Sequence, residues 1–229
     1  MNRFEILDET IKKIGASPQE VLQYWVKNNS ITKDYLNKLL EVKIEIADDV
    51  FSHLRIGWYL FANGKFSPYP DTFQKPIGVV AWIKPDLNAK AGERGIVVLF
   101  DEYYGEWSKR NLLLFANDPS DGDKNTQVML QKAKVLEISV PVAEFCEKVN
   151  KTIGWTRAFI PAYKQLDRIA IGYSTIFDAF QAVGKTFHSF LFSSTEVGCK
   201  QVICMDMTTA KITENVKTNS AYMYPIILF

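Results

Sequence analysis

The sequence has few of the residues that most catalytic and metal sites need. Its 229 residues include three cysteines, Cys146, Cys199 and Cys204, and two histidines, His53 and His188. An odd number of cysteines at these spacings forms neither a disulfide framework nor a CxxC pair, so we expect reduced thiols. Two histidines far apart in sequence leave few candidates for acid–base or metal chemistry. We therefore expect no catalytic residues, no cofactor and no metal.

Net charge and long apolar runs are also lacking. The chain has 27 Lys and Arg against 26 Asp and Glu, a net charge of +1, so it has no field that would gather nucleic acid or an anionic membrane. No stretch approaches the ~18 apolar residues of a transmembrane helix, and acidic residues interrupt the first nine positions, where a signal peptide would be basic and then apolar. We expect synthesis in the cytoplasm, no membrane insertion and no nucleic-acid partner.

Apolar residues are abundant enough for a sizeable core, at 47% of the chain. Residues 1–48 are predicted to be helical, because Phe4, Leu7, Ile11 and Ile14 form one apolar stripe at helical spacing. Ser17-Pro18-Gln19-Glu20 then has the pattern of a capping box that opens a second helix. We expect this segment to attach the protein to a partner or to form oligomers.

From about residue 50 the pattern changes to short strands and turns. Asn63-Gly64 predicts a hairpin with a type I′ turn, in which both positions need φ > 0. Residues 77–83 and 95–100 are predicted to be buried neighbouring strands, whereas residues 101–135 are polar and are predicted to be a long loop.

The rest of the chain predicts helices followed by strands. Apolar spacing predicts helices that begin near Pro141, Pro161 and Thr175, the first burying Cys146 and the last ending at Gly184. Residues 190–193, 201–206 and 222–228 are predicted to be three closing strands. The sequence therefore predicts an α+β domain over residues 49–229, preceded by a small all-helical segment over residues 1–48.

Five short motifs occur in a fixed order over residues 57–229. They are Gly57-Trp58-Tyr59 with Ala62-Asn63-Gly64, Pro76-Ile77-Gly78, Asn125-Thr126, Ile160-Pro161 before a helix with Gln165-Leu166, and Ser193-Ser194-Thr195-Glu196. In this order they resemble the Lcl-type C-terminal domain family, a branch of the C-type lectin-like fold that includes adhesin tips and is related to the sulfatase-modifying fold. The resemblance implies a C-type lectin-like domain, with short antiparallel strands and two or three flanking helices.

The candidate ligand-binding residues are aromatic and polar positions in the predicted loops and closing strands. They are Tyr103, Tyr104, Trp107, Asp121, Asp123, Glu196, Lys200, Gln201, Asn219 and Tyr222. The aromatic candidates in the 103–107 loop are expected to be exposed. Exposed Tyr and Trp suit ligand binding, because they give large contact area at low entropy cost.

The acidic cluster of residues 117–125 and the single carboxylate of Glu196 each have two interpretations. Residues 117–125 hold an acidic cluster without EF-hand spacing, which favours a solvated loop over a cation site. Glu196 could act as a general base, but beside Ser193, Ser194 and Thr195 it is predicted to lie in a turn and to satisfy backbone groups.

These observations predict a non-catalytic binding or assembly module that forms a homo-oligomer or part of a larger assembly. The expected partners are proteins or a surface glycan. Because a chain without a signal could reach the outside within a released particle, we predict a structural, decoration or receptor-binding component of a phage virion or another surface assembly.

Two alternatives stay open. The first is a variable receptor-binding protein of the retroelement-diversified type, which predicts that residues 199–224 cluster at the surface. The second is a copper-thiol oxidase related to formylglycine-generating enzymes, which requires Cys199 and Cys204 to share one metal ion.

Overall fold

The computed structural model describes residues 54–71, 74–84 and 92–229. These residues fall in one unit of the chain, which runs from Leu54 to Phe229. The predicted helices of residues 1–48 lie outside the described residues, as does the apolar stripe of the first helix.

The described residues form ten strands and four helices in a mixed α+β arrangement. In chain order these are β1 (Tyr59–Phe61), β2 (Phe66–Ser67), β3 (Pro76–Ile83), β4 (Gly95–Leu99), β5 (Tyr103–Glu106), α1 (Gly122–Leu136), α2 (Pro141–Ile153), α3 (Tyr163–Ala170), α4 (Tyr173–Ala182), β6 (Phe190–Val197), β7 (Gln201–Asp206), β8 (Lys211–Val216), β9 (Ser220–Met223) and β10 (Ile226–Leu228).

The strands form two five-stranded sheets. Sheet 1 has the order β10–β4–β3–β1–β2, and sheet 2 has the order β5–β9–β6–β7–β8. The pairs are antiparallel except for β6 with β9, which run parallel where Leu191 lies opposite Tyr222. The predicted pairing of residues 77–83 with residues 95–100 is confirmed, because β3 and β4 are antiparallel neighbours.

Three hydrophobic clusters fill the space around the sheets. The first joins one face of sheet 1 to α3, α4 and sheet 2, with Val79, Phe180 and Leu191 among its members. The second packs α1 and α2 on the other face of sheet 2 and includes Cys146, whose predicted burial is confirmed. The third covers the other face of sheet 1 and includes Val149 of α2. Hydrophobic clusters therefore lie on both faces of each sheet, while the edge strand β8 of sheet 2 stays largely exposed.

The hairpin predicted at Asn63-Gly64 is present, but its turn differs from the prediction. Strands β1 and β2 pair antiparallel, and only Gly64 of the two turn residues has a positive φ, of 78°. The Phe61 N–H donates to the Lys65 carbonyl, which leaves a three-residue loop. This is the hairpin in which a left-handed glycine ends the turn, rather than the predicted two-residue type I′ turn.

The prediction of a loop over residues 101–135 holds only in part. Residues 107–121 form no helix or strand, but β5 precedes them and the fifteen-residue helix α1 follows them. Asp121 is the N-cap of α1, because its side chain accepts a hydrogen bond from the Lys124 N–H at 2.9 Å. The polar residues that suggested a loop are thus the start signal of a helix.

The closing strands also need correction. The predicted strand over residues 222–228 is two strands, β9 in sheet 2 and β10 in sheet 1, and β8 was not predicted. Ser193 to Glu196 lie inside β6 rather than in a turn, at an irregularity in the register between Phe192 and Glu196. The helix start near Pro141 is confirmed, whereas α3 and α4 begin at Tyr163 and Tyr173. Gly184 follows α4 with a φ of 73°, as predicted for a residue just past a helix end.

Candidate functional site

A buried ion pair packs against residues of the second hydrophobic cluster. Nζ of Lys217 is 2.5 Å from Oε2 of Glu196, and the two side chains are 0% and 1% exposed. Lys217 also donates to the Leu112 carbonyl at 2.7 Å, and its Nζ lies 4.9 Å from the centre of the Trp107 ring. Desolvated charges of this kind need excellent geometry and further hydrogen bonds, both of which this pair has.

Glu196 uses its two oxygens to hold a passing segment of backbone. Oε2 accepts from the Leu114 N–H at 3.1 Å and Oε1 accepts from the Ala116 N–H at 2.9 Å. The Glu196 N–H in turn donates to the Ala116 carbonyl at 2.8 Å. Leu114 and Ala116 are buried as a result, and Phe115 between them is exposed at a φ of 65°. Glu196, one of the predicted ligand-binding residues, is therefore a buried carboxylate that binds the backbone of its own domain.

The other residues of the Ser193–Glu196 motif bind the region around α1. Ser194 Oγ accepts from Asn125 Nδ2 at 3.0 Å. Asn125 Nδ2 also donates to the Asp118 carbonyl at 2.7 Å, and Thr195 Oγ1 donates to the same carbonyl at 3.2 Å. Thr195 Oγ1 accepts from the Tyr163 N–H at the start of α3, at 3.3 Å.

Two further motif residues complete this network. Thr126 Oγ1 donates to the Gly122 carbonyl at 2.8 Å and accepts from the Ile160 N–H at 3.0 Å. Gln165 Oε1 accepts from the Gly122 N–H at 3.2 Å and from the Ala162 N–H at 2.8 Å. The polar motifs that are scattered along the sequence thus meet in one network that joins α1, α3 and β6.

The acidic cluster caps α1. Asp118 Oδ1 accepts from the backbone N–H groups of Ser120 and Asp121, and the bond from Ser120 is the main cause that lowers the pKa of Asp118 to about 2. Asp118 also pairs with Lys124 at 3.3 Å, and Asp123 lies 3.5 Å from a nitrogen of Arg157. The carboxylates of residues 117–125 therefore stabilise a helix start. Within the described ranges, no group of three His, Cys, Asp or Glu side chains is placed to hold a metal ion.

Three rings form a row at the edge of sheet 2, which we call the aromatic row: Tyr104, Tyr222 and His188. Tyr104 on the edge strand β5 lies directly opposite Tyr222 on β9, with ring centres 4.6 Å apart. The His188 ring is stacked on Tyr222 at 3.5 Å and 7° from parallel. Tyr104 keeps 62% of its surface exposed, so the sequence-based expectation of an exposed aromatic holds at this position.

A carboxylate fixes the inner end of the aromatic row. Glu102 Oε2 lies 3.4 Å from His188 Nε2 and accepts from the Tyr224 hydroxyl at 2.7 Å. The Tyr224 hydroxyl also lies 2.9 Å from the Thr186 carbonyl, a second acceptor for its single proton, and it accepts from the His188 N–H at 3.3 Å. Burial and the bond to Glu102 raise the pKa of Tyr224, which therefore stays a protonated donor. Sequence reasoning placed His188 in a loop but missed Glu102, because their contact depends on the pairing of β5, β9 and β6.

The other predicted aromatic candidates are not exposed. Trp107 is fully buried, because its Nε1–H donates to the Ser193 carbonyl at 2.9 Å and its ring belongs to the second cluster. Tyr103 is half-buried against Phe145 and donates to the Glu106 carbonyl at 2.6 Å. The expected exposure of Trp107 is wrong, and that of Tyr103 holds only in part.

Polar candidates near the closing strands lie at the surface. Lys200, Gln201 and Asn219 are exposed, in or beside the turns that flank β7 and β9. The Lys200 carbonyl accepts from the Lys217 N–H at 3.0 Å, which brings these turns together. Within residues 199–224 exposed and buried side chains alternate, so the segment is not wholly at the surface.

The two cysteines of the copper hypothesis have different environments. Cys199 is exposed in the turn between β6 and β7, whereas Cys204 is buried in the second cluster. Burial raises the pKa of Cys204 to about 12, which disfavours the thiolate that binds copper. This arrangement counts against a metal ion shared by the pair.

Two of the clefts in the described surface lie beside helices. One of about 350 Å³ lies between α1 and α2 and is bounded by Asp123, Glu147 and Arg157. The other, of about 510 Å³, is lined by Pro70, Lys75, Phe100, Ala182 and Lys185. No helix in the described part of the chain has the length and apolarity to cross a membrane.

No protein-family model and no curated protein matches the sequence. Among solved structures, the fold is similar to that in the 1.85 Å crystal structure of a fimbrial protein from Bacteroides ovatus, with a TM-score of 0.61 and 16% sequence identity. The match covers 77% of this chain and 49% of that chain, so this chain spans about half the length of the fimbrial protein. At this identity the likeness concerns the fold: the described part is a mixed α+β domain similar to one in that fimbrial protein.

Proposed function

We propose that the chain is a non-catalytic binding or assembly module of a surface assembly. The likeness of its fold to that of a fimbrial protein is the observation that carries this proposal. The contacts of Glu196 support it. Each oxygen of this buried carboxylate accepts from a backbone N–H group, and Oε2 also pairs with Lys217. A carboxylate committed in this way orders the fold and has no exposed face for a substrate.

We also propose that the domain is a C-type lectin-like domain of the Lcl type. The convergence of Asn125, Thr126, Gln165 and the Ser193–Glu196 motif in one network supports this resemblance. An experimental structure of the full chain tests it by superposition on an Lcl-type domain over residues 57–229. A different strand order in the superposed elements would contradict the assignment.

Attachment is assigned in this proposal to residues 1–48 and their apolar stripe. The likeness to a fimbrial protein favours a fibre-type surface assembly, and membership of a virion stays a prediction from sequence. The test is fractionation of the native source, with the protein detected by antibody. We expect it in high-mass assemblies and accessible to protease on intact cells or particles.

Two variants in the predicted apolar stripe separate attachment from folding. Leu7→Asp and Ile11→Asp are expected to remove the protein from the assemblies while the circular dichroism of the domain is retained, because charges in an apolar seam oppose association. Recovery of the wild-type protein only as a free cytosolic monomer would refute the proposed function.

A further inference from the structure

We propose that an exposed apolar patch around Phe115 docks a short segment of a partner protein that carries apolar and acidic side chains. The patch consists of Leu113, Phe115, Lys132, Val135 and Leu136, and we call it the Phe115 patch. This inference names the partner chemistry of the proposed binding module and rests on that proposed function. The patch shares no residue with the aromatic row.

The segment before α1 supplies the first half of the patch. Leu113 and Phe115 are exposed, Phe115 at 55%, whereas Leu114 and Ala116 are buried. Because burial alternates along these four residues, the two exposed side chains leave the same side of an extended segment. The Nζ atom of Lys132 lies 5.3 Å from the centre of the Phe115 ring, which places α1 directly beside it.

The last turn of α1 supplies the second half. Val135 is 71% exposed and Leu136 is exposed beside it. They follow Lys132 by three and four residues, the spacing at which side chains are neighbours on a helix. Since Lys132 also covers the Phe115 ring, the apolar side chains of the segment and of the helix form one patch. Contiguous apolar surface on a soluble domain commonly marks a site of protein binding.

The backbone of Phe115 points to a ligand as well. Its φ of 65° lies in the left-handed region, which bulky residues rarely adopt. Glycine would adopt this φ without strain and would expose less apolar surface. Glu196 holds the strained residue in place, because its oxygens accept from the N–H groups on either side, those of Leu114 and Ala116. A strained residue that buried groups hold in an exposed position is typical of a functional site.

Basic side chains surround the patch. Lys132 lies on it and Lys134 is in the last turn of α1. Arg110 is exposed beside the end of this helix, because the Lys109 N–H donates to the Ser139 carbonyl at 3.4 Å. Within residues 54–71, 74–84 and 92–229, the first three of these cations form no ion pair. They are therefore available to carboxylates of a partner.

This charge selects the partner. Of the nearby carboxylates, Glu137 ends α1 and Glu144 accepts from the Val140 N–H at 2.9 Å at the start of α2. Positive charge therefore exceeds negative charge around the patch. A second copy docked patch to patch about a two-fold axis would bring the cations of both copies together. An acidic segment with aromatic or aliphatic anchors instead matches both the apolar centre and the basic rim.

The test selects peptides from a phage-displayed library of random sequences on the immobilised full chain. We expect the enriched peptides to combine Leu, Ile, Phe or Trp with a net negative charge. The most enriched sequence is then synthesised, and its affinity for the full chain is measured by fluorescence anisotropy. Salt is expected to weaken the binding, because it screens the exposed charges of the rim.

Phe115→Asn removes the ring and introduces a residue that tolerates a left-handed backbone. It is expected to weaken peptide binding about 10-fold or more, the loss typical of a central aromatic contact. The melting temperature is expected to stay unchanged or to rise, because the strain is relieved. Phe115→Tyr keeps the ring and is expected to bind within about threefold of the wild type. Ile171→Asn is the matched control, since it replaces an exposed apolar side chain outside the patch, and it is expected to bind as the wild type does.

Lys132→Glu tests the charge of the rim. It places a carboxylate beside Phe115 and is expected to weaken binding of the acidic peptide about 10-fold or more, because like charges then meet. Lys211→Glu makes the same change on the exposed strand β8, and the peptide is expected to bind it as it binds the wild type.

Several results would overturn the inference. These are enrichment of basic or uncharged peptides, no enrichment at all, equal binding by Phe115→Asn or Lys132→Glu, and a lower melting temperature of Phe115→Asn. A dimer of the full chain that Phe115→Asn dissociates would assign the patch to a second copy. Adsorption to phosphatidylglycerol vesicles that Phe115→Asn abolishes would assign it to a lipid surface. Phe115→Asn is expected to enter the surface assemblies normally, because attachment is assigned to residues 1–48, so failure of the peptide selection leaves the proposed function standing.

Discussion

Replacement of Lys217 by methionine tests whether the buried ion pair holds the domain together. Methionine keeps the length and apolar stem of lysine but removes the charge and the bond to the Leu112 carbonyl. Glu196 then lies fully buried, with only the N–H groups of Leu114 and Ala116 to stabilise its charge. Removal of one partner from a buried pair typically costs about 3–5 kcal/mol. Against a total stability of about 5–15 kcal/mol for a domain, that loss is large.

The assay is equilibrium urea unfolding of the full chain, followed by circular dichroism. The matched control is Lys109→Met, which breaks the pair that Lys109 forms with Glu106 at 2.6 Å. The two pairs have nearly the same length, but Lys109 is 59% exposed and Lys217 is fully buried. We expect Lys109→Met to cost less than Lys217→Met, because water screens the exposed Lys109 and the Glu106 side chain is 31% exposed, although its Oε2 atom is buried.

A double variant separates the charge from the hydrogen bonds. Glu196→Gln added to Lys217→Met removes the uncompensated charge while one amide oxygen still accepts from a backbone N–H, so it should recover at least about 1 kcal/mol. If Lys217→Met costs no more than Lys109→Met, the pair is not the anchor of the 112–116 segment.

Three further predictions concern the reactivity of the thiols, the close packing of Gly122 and the pKa of Asp118. A thiol reagent at pH 8 should modify Cys199 in the folded protein and reach Cys146 and Cys204 only after unfolding, because burial raises the pKa of both; more than one reactive thiol in the folded state would contradict this. Gly122→Ala should lower the unfolding free energy by about 1–3 kcal/mol, because its Cβ would clash with backbone atoms; an unchanged melting temperature would speak against it. An NMR titration should give Asp118 a pKa of about 2. Because this lies below the ordinary value of 3.8, its stabilising contribution is present above pH 3.8 and lost as the pH falls through 2; titration near 3.8 would refute the capping role.

Elements with a strong local signal were predictable from the sequence. The run of β-branched residues over 77–83 and 95–100 predicted β3 and β4, and the spacing of Val142, Cys146 and Val149 predicted α2. Helix α1 was missed because it buries few apolar side chains, chiefly Met129 and Ala133, and begins among polar residues. Asp121 with an acidic first turn was the signal that could have found it.

The candidate site was predictable only in part. Tyr104 and Tyr222 were both named from the sequence, but their contact depends on the register of β5 with β9. Lys217 had no local signal at all, since a lysine in a polar turn is normally exposed and its burial depends on Glu196 and Trp107. Trp107 was expected at the surface because it lies in the predicted 103–107 loop, yet the Ser193 carbonyl gives its indole N–H a buried partner.

The chain crosses from sheet 2 to sheet 1 between β9 and β10, and this crossing affects how the domain folds during synthesis. Only Tyr224 and Pro225 separate the two strands, yet β9 completes sheet 2 between β5 and β6, and β10 completes the edge of sheet 1 beside β4. Contacts that join distant parts of a chain form slowly, because loop closure must precede them. During synthesis, at about 5–20 residues per second, neither sheet has all its strands until residues 220–228 have left the ribosome. A chain interrupted before residue 220 therefore exposes two open sheets to chaperones and proteases, rather than folding into a smaller domain.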